Sequence, residues 1–285
     1  MIVDPSTRMK LFDKVCTGEL KKKALTTGYM DLDDYLLLAK GYLMILTGYP
    51  GSGKSEWLDA VLLNMTIMHD WKVMYFSPEN HPVEQHMLKL AEKICNKKGE
   101  YFDKEDKRKA FDMICKNFTW FDPENPTLNS ILDSAKTVQN DKGLDVLVID
   151  PWNAVDHERK ERAMLHENLG YSLSKILKFG RDRDILTVIV AHPTKPMKDK
   201  DGNIGMPNLY DISDGAMWRN KADYGIVVHR PDMGKNQMIV SIQKIKQKHM
   251  GKLGMLLLDY DFMSGRFKGV NESDFFLPNE MTPPF

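Results

Sequence analysis

Cysteine is scarce in this 285-residue sequence: Cys16, Cys95 and Cys115 stand far apart and form no CxxC pair. That spacing supplies neither a disulfide frame nor a zinc site, and an odd, scattered set fits reduced thiols in a cytosolic setting. Long hydrophobic runs are missing too. The longest, Tyr35–Ala39 and Tyr42–Leu46, are parted by Lys40 and Gly41, far short of the roughly 18 residues a membrane span needs. The first residues, MIVDPSTRMK, have no apolar stretch of the kind a secretory leader carries. An excess of charge is also absent, since 40 Lys and Arg balance 40 Asp and Glu. Coating duplex DNA through bulk charge goes with a basic protein, so any nucleic-acid contact must come from local clusters. There is no internal repeat and no low-complexity tract.

What is present is an ordinary globular composition, 42% hydrophobic and 28% charged, long enough for one large α/β domain or two small ones. The first two dozen residues are polar and lysine-rich. Their one amphipathic stretch, Met9–Leu20, reads as an arm or linker helix outside the core. Met30–Ala39 reads as a second short helix leading inward. From Leu43 a repeating pattern sets in: apolar runs, then Gly/Pro/Ser punctuation, then helical stretches. The runs are Leu43–Thr47, Val73–Ser77, Phe118–Phe121, Val146–Ile149 and Leu186–Ala191. Helices are expected at Lys54–His69, Pro82–Asn96, Leu128–Asn140 and Leu165–Arg183. Near-continuous apolar strands are buried on both faces, so the expected fold is α/β with a mostly parallel sheet flanked by helices. Later runs, Tyr224–His229, Met238–Lys246 and Met255–Tyr260, are separated by turns and predict an antiparallel C-terminal extension. The expected organisation is an arm over residues 1–24, a core over 25–270 and a tail over 271–285.

One motif carries chemistry directly. Gly48-x-x-x-x-Gly53-Lys54-Ser55 follows an apolar strand and opens an amphipathic helix. The loop Gly48, Pro50, Gly51, Ser52, Gly53 lets backbone N–H groups turn toward phosphates at a helix N-terminus. Lys54 reaches the β- and γ-phosphates, and the Ser55 hydroxyl is placed to ligate Mg²⁺. This is a P-loop, built for ATP or a dNTP with its magnesium. The second half of such a site is a carboxylate at the end of another buried strand. Asp150, closing Leu144-Asp-Val-Leu-Val-Ile-Asp150, supplies it. Proline at 151 leaves no glutamate beside it to serve as base. Glu79, in Ser77-Pro78-Glu79-Asn80 at the end of the next strand, is the candidate, and the same turn reads equally as a solvated cap of the following helix.

The order of these parts resembles the RecA-like core of the DnaB-like, Twinkle and phage primase-helicase family of hexameric replicative DNA helicases. The resemblance runs from about Thr27 to Phe267. It rests on TGYMDLDDYLLLAKGYLMILTGYPGSGKSE, YFSPEN, LVIDPWN, IVAHPTK, LYDISDGAMWRNKADYGIVVHR and IQKIKQK followed by GKLG. The resemblance implies that Glu79 activates the hydrolytic water and that His192 senses the γ-phosphate. It places Arg230 and Tyr260 beside the nucleotide base. It implies a basic finger reaching a neighbour's γ-phosphate, here Lys244-Ile-Lys246 with lysine where the family has arginine, and Lys248 able to share the role. Lysine lacks the bidentate fork of arginine, and the same lysines also read as the solvent face of an edge strand.

The family grips single-stranded DNA with two loops per subunit. The matching segments are Ala154–Asn168, carrying Arg159, Lys160 and Arg162, and Pro193–Tyr210, carrying Lys195, Lys198 and Lys200. Six converging copies would let a chain of zero net charge bind DNA, with a steep salt dependence. The arm matches the linker by which one subunit docks on the next. The tail, with Glu272, Asp274, Glu280 and Phe285, resembles one that contacts a polymerase. Three cysteines leave no Cys-rich zinc module, and the residues ahead of the core are too few for a polymerising domain, so no primase is expected in this stretch. The expected function is therefore a 5′→3′ helicase motor acting as a hexamer or heptamer in a bacterial or phage-infected cytoplasm, with primase and DNA polymerase as partners through the termini. The alternatives are a RecA/RadA-like recombination ATPase and a nucleotide-gated assembly protein with little turnover.

Overall fold

The computed structural model describes residues 4–19, 21–156, 162–194 and 204–269, with residues 162–167 described by backbone alone. Among the described residues nine strands form a single sheet in the order β3-β2-β4-β5-β1-β6-β7-β8-β9. β1 (Leu43–Thr47), β2 (Val73–Phe76), β3 (Phe118–Trp120), β4 (Val146–Ile149), β5 (Leu186–Ala191) and β6 (Tyr224–His229) pair in parallel. β7 (Gln237–Ile245), β8 (Gly254–Asp261) and β9 (Arg266–Gly269) continue the sheet antiparallel. Every residue of β1, β2, β4, β5 and β6 is buried.

Alternation along a strand sends neighbours to opposite faces, which explains why such runs must be apolar throughout. Met44, Leu46, Tyr75, Val148 and Val190 face one core with α3 (Lys54–His69) and α4 (Val83–Cys95). Leu43, Ile45, Phe76, Ile149 and Ile189 face the other, with α6 (Leu128–Lys142) and α7 (Arg162–Arg183). The helix α3 is buried almost all round, including Trp57, Leu58, Val61 and Leu62. The remaining helices are α1 (Met9–Cys16), α2 (Met30–Asp33), α5 (Lys104–Asn117) and α8 (Gly215–Lys221).

The expected helix Met30–Ala39 shrinks to the one turn of α2. Beyond it Leu36 bridges to Gly251 and Leu38 to Leu25, and Leu37 donates its N–H to the Met250 carbonyl. Leu36 and Leu38 are both fully buried, so the segment gains more by lying extended against two neighbours than by closing helical bonds. The helix α5 and strand β9 were not expected. The former presents only Ala110, Ile114 and Asn117 inward, too thin an apolar stripe to stand out; its capping box, Asp103 with Asp106, was the readable signal. The helix α1 takes up Met9–Cys16 of the expected stretch Met9–Leu20 and buries none of its residues. The tail over 271–285 lies outside the described residues.

Candidate nucleotide and nucleic-acid site

Strand β1 ends at Thr47 and the chain turns through Gly48, Gly51 and Gly53, all at positive φ, before α3 begins at Lys54. Gly48 is the position with least latitude. A Cβ there would stand 2.1 Å from the Val228 carbonyl oxygen, so only glycine lets the loop pass beside β6. The Lys54 ammonium donates to the carbonyls of Gly48 at 2.8 Å and Tyr49 at 3.1 Å. Burial pulls its pKa down, against the opposing pull of Asp150 and Glu79.

Ser55, the next residue of α3, donates its hydroxyl to Asp150 Oδ2 at 2.7 Å. Asp150 leaves the end of β4 with only 4% of its surface exposed. Burial raises its carboxyl to about 6, more than the Ser55 hydrogen bond lowers it. Two hard oxygens side by side at a phosphate loop fit a cation that keeps most of its coordination for phosphate and water, as magnesium does. No group of three or more His, Cys, Asp or Glu among the described residues is placed to hold a metal ion.

Strand β5 lies between β4 and β1, and His192 follows its last residue. Its Nε2 is 3.8 Å from Glu79 Oε1. Burial, then Lys54, depresses the His192 pKa, favouring the neutral ring that can accept or donate. Glu79 sits in the turn Pro78–Asn80. Asn80 secures that turn, bonding Ser77 Oγ and receiving Lys89, and α4, starting at Val83 after Pro82, has no side-chain cap. Glu79 caps no helix; its side chain is 59% exposed, as the solvated-turn reading has it, with Oε1 within 3.8 Å of His192.

A cavity of about 180 Å³ adjoins the loop, lined by Gly51, Ser52, Gly53, Glu56, Arg230, Asn236 and Tyr260 among others. Arg230 is held by Nε and a terminal nitrogen on the Lys235 carbonyl. Burial, then the charge of Glu56, pushes the Tyr260 phenol well up, and the ring is flanked by Phe262 and Phe267. The structure therefore brings Lys54, Ser55, Asp150, Glu79 and His192 together, with Arg230 and Tyr260 on the cavity alongside.

Lys244 and Lys246 lie elsewhere. Lys244 pairs with Gly225 near the start of β6, three residues or about 10 Å along the strand from Val228 beside the P-loop. Its ammonium bonds the carbonyls of Arg219 and, at 3.3 Å, Asn220. Lys246 pairs with Asp223 at 2.9 Å, and Lys248 is exposed in the turn Lys248–Met250. The positions Lys195, Lys198, Lys200, Arg159 and Lys160 lie outside the described residues, as does the side chain of Arg162. The feet of both segments are described. Asp156 bridges to Thr127 and Pro193 to Ile212, at the same carboxyl edge of the sheet as the P-loop.

Three features escaped the sequence reading. Asp59, fully inside α3, accepts from Tyr75 at 2.9 Å and pairs with His86 at 3.0 Å; His86 in turn receives Trp120 Nε1 at 3.0 Å. That bond leaves His86 Nδ1 the acceptor, so its proton is on Nε2, toward Asp59. The signal was a lone acid in the apolar run Trp57-Leu-Asp-Ala-Val61. Asp223, fully buried, hid in a polar stretch. Gln243 occupies a register shift between β6 and β7 and bonds the Leu209 amide at 3.1 Å and the Pro207 carbonyl at 3.3 Å.

The chain is 34% identical over 261 residues to the chloroplastic/mitochondrial Twinkle homolog protein of Arabidopsis thaliana, covering 85% of this chain and 36% of that protein. It is 24% identical to a probable plasmid replicative DNA helicase of Chlamydia psittaci, covering 85% of this chain and 55% of that one. The chain thus spans about a third to a half of the curated relatives it matches. Among solved structures, an isolated ATPase domain superposes with a TM-score of 0.73 at 17% identity, covering 94% of this chain and 98% of that one. A DnaB-like replicative helicase solved for its interactions with primase gives 0.72 at 18%, covering 95% and 68%. These likenesses show a RecA-like ATPase fold, with the mostly parallel sheet and antiparallel extension described above. The DnaB-like helicase C-terminal domain family matches residues 24–269, and the chain belongs to that family.

Proposed function

We propose that this chain is the NTP-hydrolysing motor of a replicative DNA helicase that translocates 5′→3′ on single-stranded DNA as a ring. The observation that carries the reading is the convergence of Ser55 on Asp150, at 2.7 Å, with Glu79 and His192 beside the P-loop of a chain in this family. The relatives' names, a Twinkle homolog and plasmid replicative helicases, support replication as the setting.

In this reading the glycine loop and Lys54 hold the phosphates of ATP or a dNTP. Ser55 and Asp150 would hold Mg²⁺, which supplies charge neutralisation at the phosphates. Glu79 orients and deprotonates the attacking water. Lying 3.8 Å from Glu79, His192 reports the occupancy of the γ-phosphate position to the segment that follows β5. Arg230 and Tyr260 border the base. Of the finger lysines, Lys246 with Lys248 suits a neighbour's site better than Lys244, whose ammonium is turned onto its own chain's carbonyls. The ring is a hexamer or heptamer, joined through the exposed arm helix α1, and the loops after β4 and β5 track DNA phosphates. Primase and DNA polymerase are proposed as partners through the termini.

The test is steady-state hydrolysis with and without single-stranded DNA, unwinding of a forked duplex, and particle shape by electron microscopy. DNA-stimulated turnover, unwinding and closed rings are expected. Glu79→Gln should cut kcat about 10²- to 10⁴-fold while nucleotide still binds. Absence of stimulation together with absence of an oligomer in nucleotide would sink the reading.

A further inference from the structure

A buried carboxylate without a matching charge is costly, and a carboxylate serving only to fill space is better replaced by an apolar group. Asp223 is fully buried, so its partners show what it is for. Its Oδ2 accepts the Leu43 amide at 3.0 Å, and its own N–H donates to the Leu43 carbonyl at 2.8 Å. Asp223 is thereby locked to the first residue of β1, the strand that ends in the P-loop. The other oxygen, Oδ1, makes no hydrogen bond among the described residues but ion-pairs with the Lys246 ammonium at 2.9 Å and lies 3.7 Å from the Arg181 guanidinium. The Lys246 backbone N–H also donates to the Asp223 carbonyl at 2.9 Å. Both ends of Lys246 are tied to one residue, yet 44% of its side chain stays exposed.

That arrangement answers a chemical problem. Arginine is pre-organised by its planar fork, whereas lysine is a point charge on a flexible four-carbon stem. A lysine used at a neighbour's phosphate therefore needs something else to orient it. We propose that Asp223 is the positioning residue of the finger, holding the Lys246 ammonium at the subunit surface and fixing it relative to β1. The proposal rests on the reading of Lys246 as a finger. Asp223 lies among Lys246, Arg181 and Lys244, with nearby Asp184 taken up by Lys22, so the patch stays net positive and Asp223 orients the lysine without cancelling the attraction for phosphate. The tie to Leu43 gives the finger and its own subunit's P-loop strand a common anchor.

A double-mutant cycle on the assembled, DNA-stimulated protein tests this. Asp223→Asn keeps an acceptor for the Leu43 amide and removes the charge. It is expected to lower kcat about tenfold through loss of the charge that holds the ammonium, while the Kd for a fluorescent nucleotide analogue stays within about twofold. Lys246→Ala should lower kcat at least as far, and Asp223→Asn in the Lys246→Ala background should lower it no further. Thermal unfolding checks each variant; if Asp223→Asn does not fold, Asp223→Ser goes through the same cycle. A double variant slower by the product of the two effects would make Asp223 a prop for β1 and overturn the proposal. Normal turnover in Asp223→Asn beside slow Lys246→Ala removes the proposal and leaves the finger standing. Normal turnover in Lys246→Ala removes the finger reading itself, and the proposal falls with it.

Discussion

The parallel and antiparallel parts of the sheet are hydrogen-bonded into one surface but handle polarity in opposite ways. In β1, β2, β4, β5 and β6 every strand residue is buried, and the polar groups gather where the strands end, at Lys54, Glu79, Asp150 and His192. In β8 and β9 buried and exposed residues mix along the strands themselves. Charge there is distributed and solvated. A strand sealed on both faces can offer chemistry only at its end, while a half-covered strand can offer it along its length. The P-loop cradle belongs to the first kind, and the cavity lined by Tyr260, with the proposed finger lysines, to the second.

This contrast can be broken by substitution. The largest effect is expected inside the parallel part. Asp59→Ala strands two buried donors, the Tyr75 hydroxyl and His86 Nε2, without their shared acceptor and should cost about 3–5 kcal/mol, at about 1–3 kcal/mol for each, in a urea unfolding curve. A loss below about 1 kcal/mol, the scale of a single ordinary hydrogen bond, would show that the buried network is not what secures α3 to β2.

Asp150 comes next. Its folded pKa, about 6, lies above the ordinary carboxylate value of 3.8, so the folded protein binds the proton more tightly than the unfolded chain. The contribution is complete below about pH 4 and is lost as pH rises through about 6, a swing of about 3 kcal/mol. Wild type measured against Asp150→Asn across about pH 4–7, without divalent ions, should show that slope. Magnesium with nucleotide should restore stability at neutral pH, and an unchanged difference across the range would refute the burial argument.

Smaller effects are expected in the extension. Tyr260→Ala should weaken nucleotide binding about tenfold, or about 1.4 kcal/mol, read by fluorescence titration. Asp261 accepts from Ser264 Oγ at 2.8 Å and the Met263 amide at 2.9 Å at the turn into β9. Its alanine variant should cost about 1 kcal/mol in thermal unfolding. If Asp261→Ala cost as much as Asp59→Ala, the contrast between the two parts would not hold.

What could be read from the chain divides along the same line. The P-loop, Asp150 and the parallel strands were legible because full burial enforces unbroken apolar runs, and glycine marks where they turn. Leu36 and Leu38 were misplaced because three consecutive leucines carry no period that separates helix from bridge. Ala110 and Ile114 were too sparse among lysines and acids to announce α5. Lys244 illustrates a deeper limit: a charge in a sequence does not say which way its head points, and here it points at its own chain. Asp223 in Lys221-Ala-Asp-Tyr224 looks like any turn acid until the fold seals it.

Gln243 and Thr194 tie down both ends of the segment after β5. Thr194 donates its N–H and its hydroxyl to the Asp211 carbonyl at 2.7 and 2.9 Å, while Gln243 grips Pro207 and Leu209. The length of a chain segment held at both ends is thermodynamically cheap to change, about 0.6 kcal/mol for each doubling. The segment after β5 can therefore be lengthened, shortened or exchanged for that of a relative as a cassette, leaving the ATPase scaffold to fold as before.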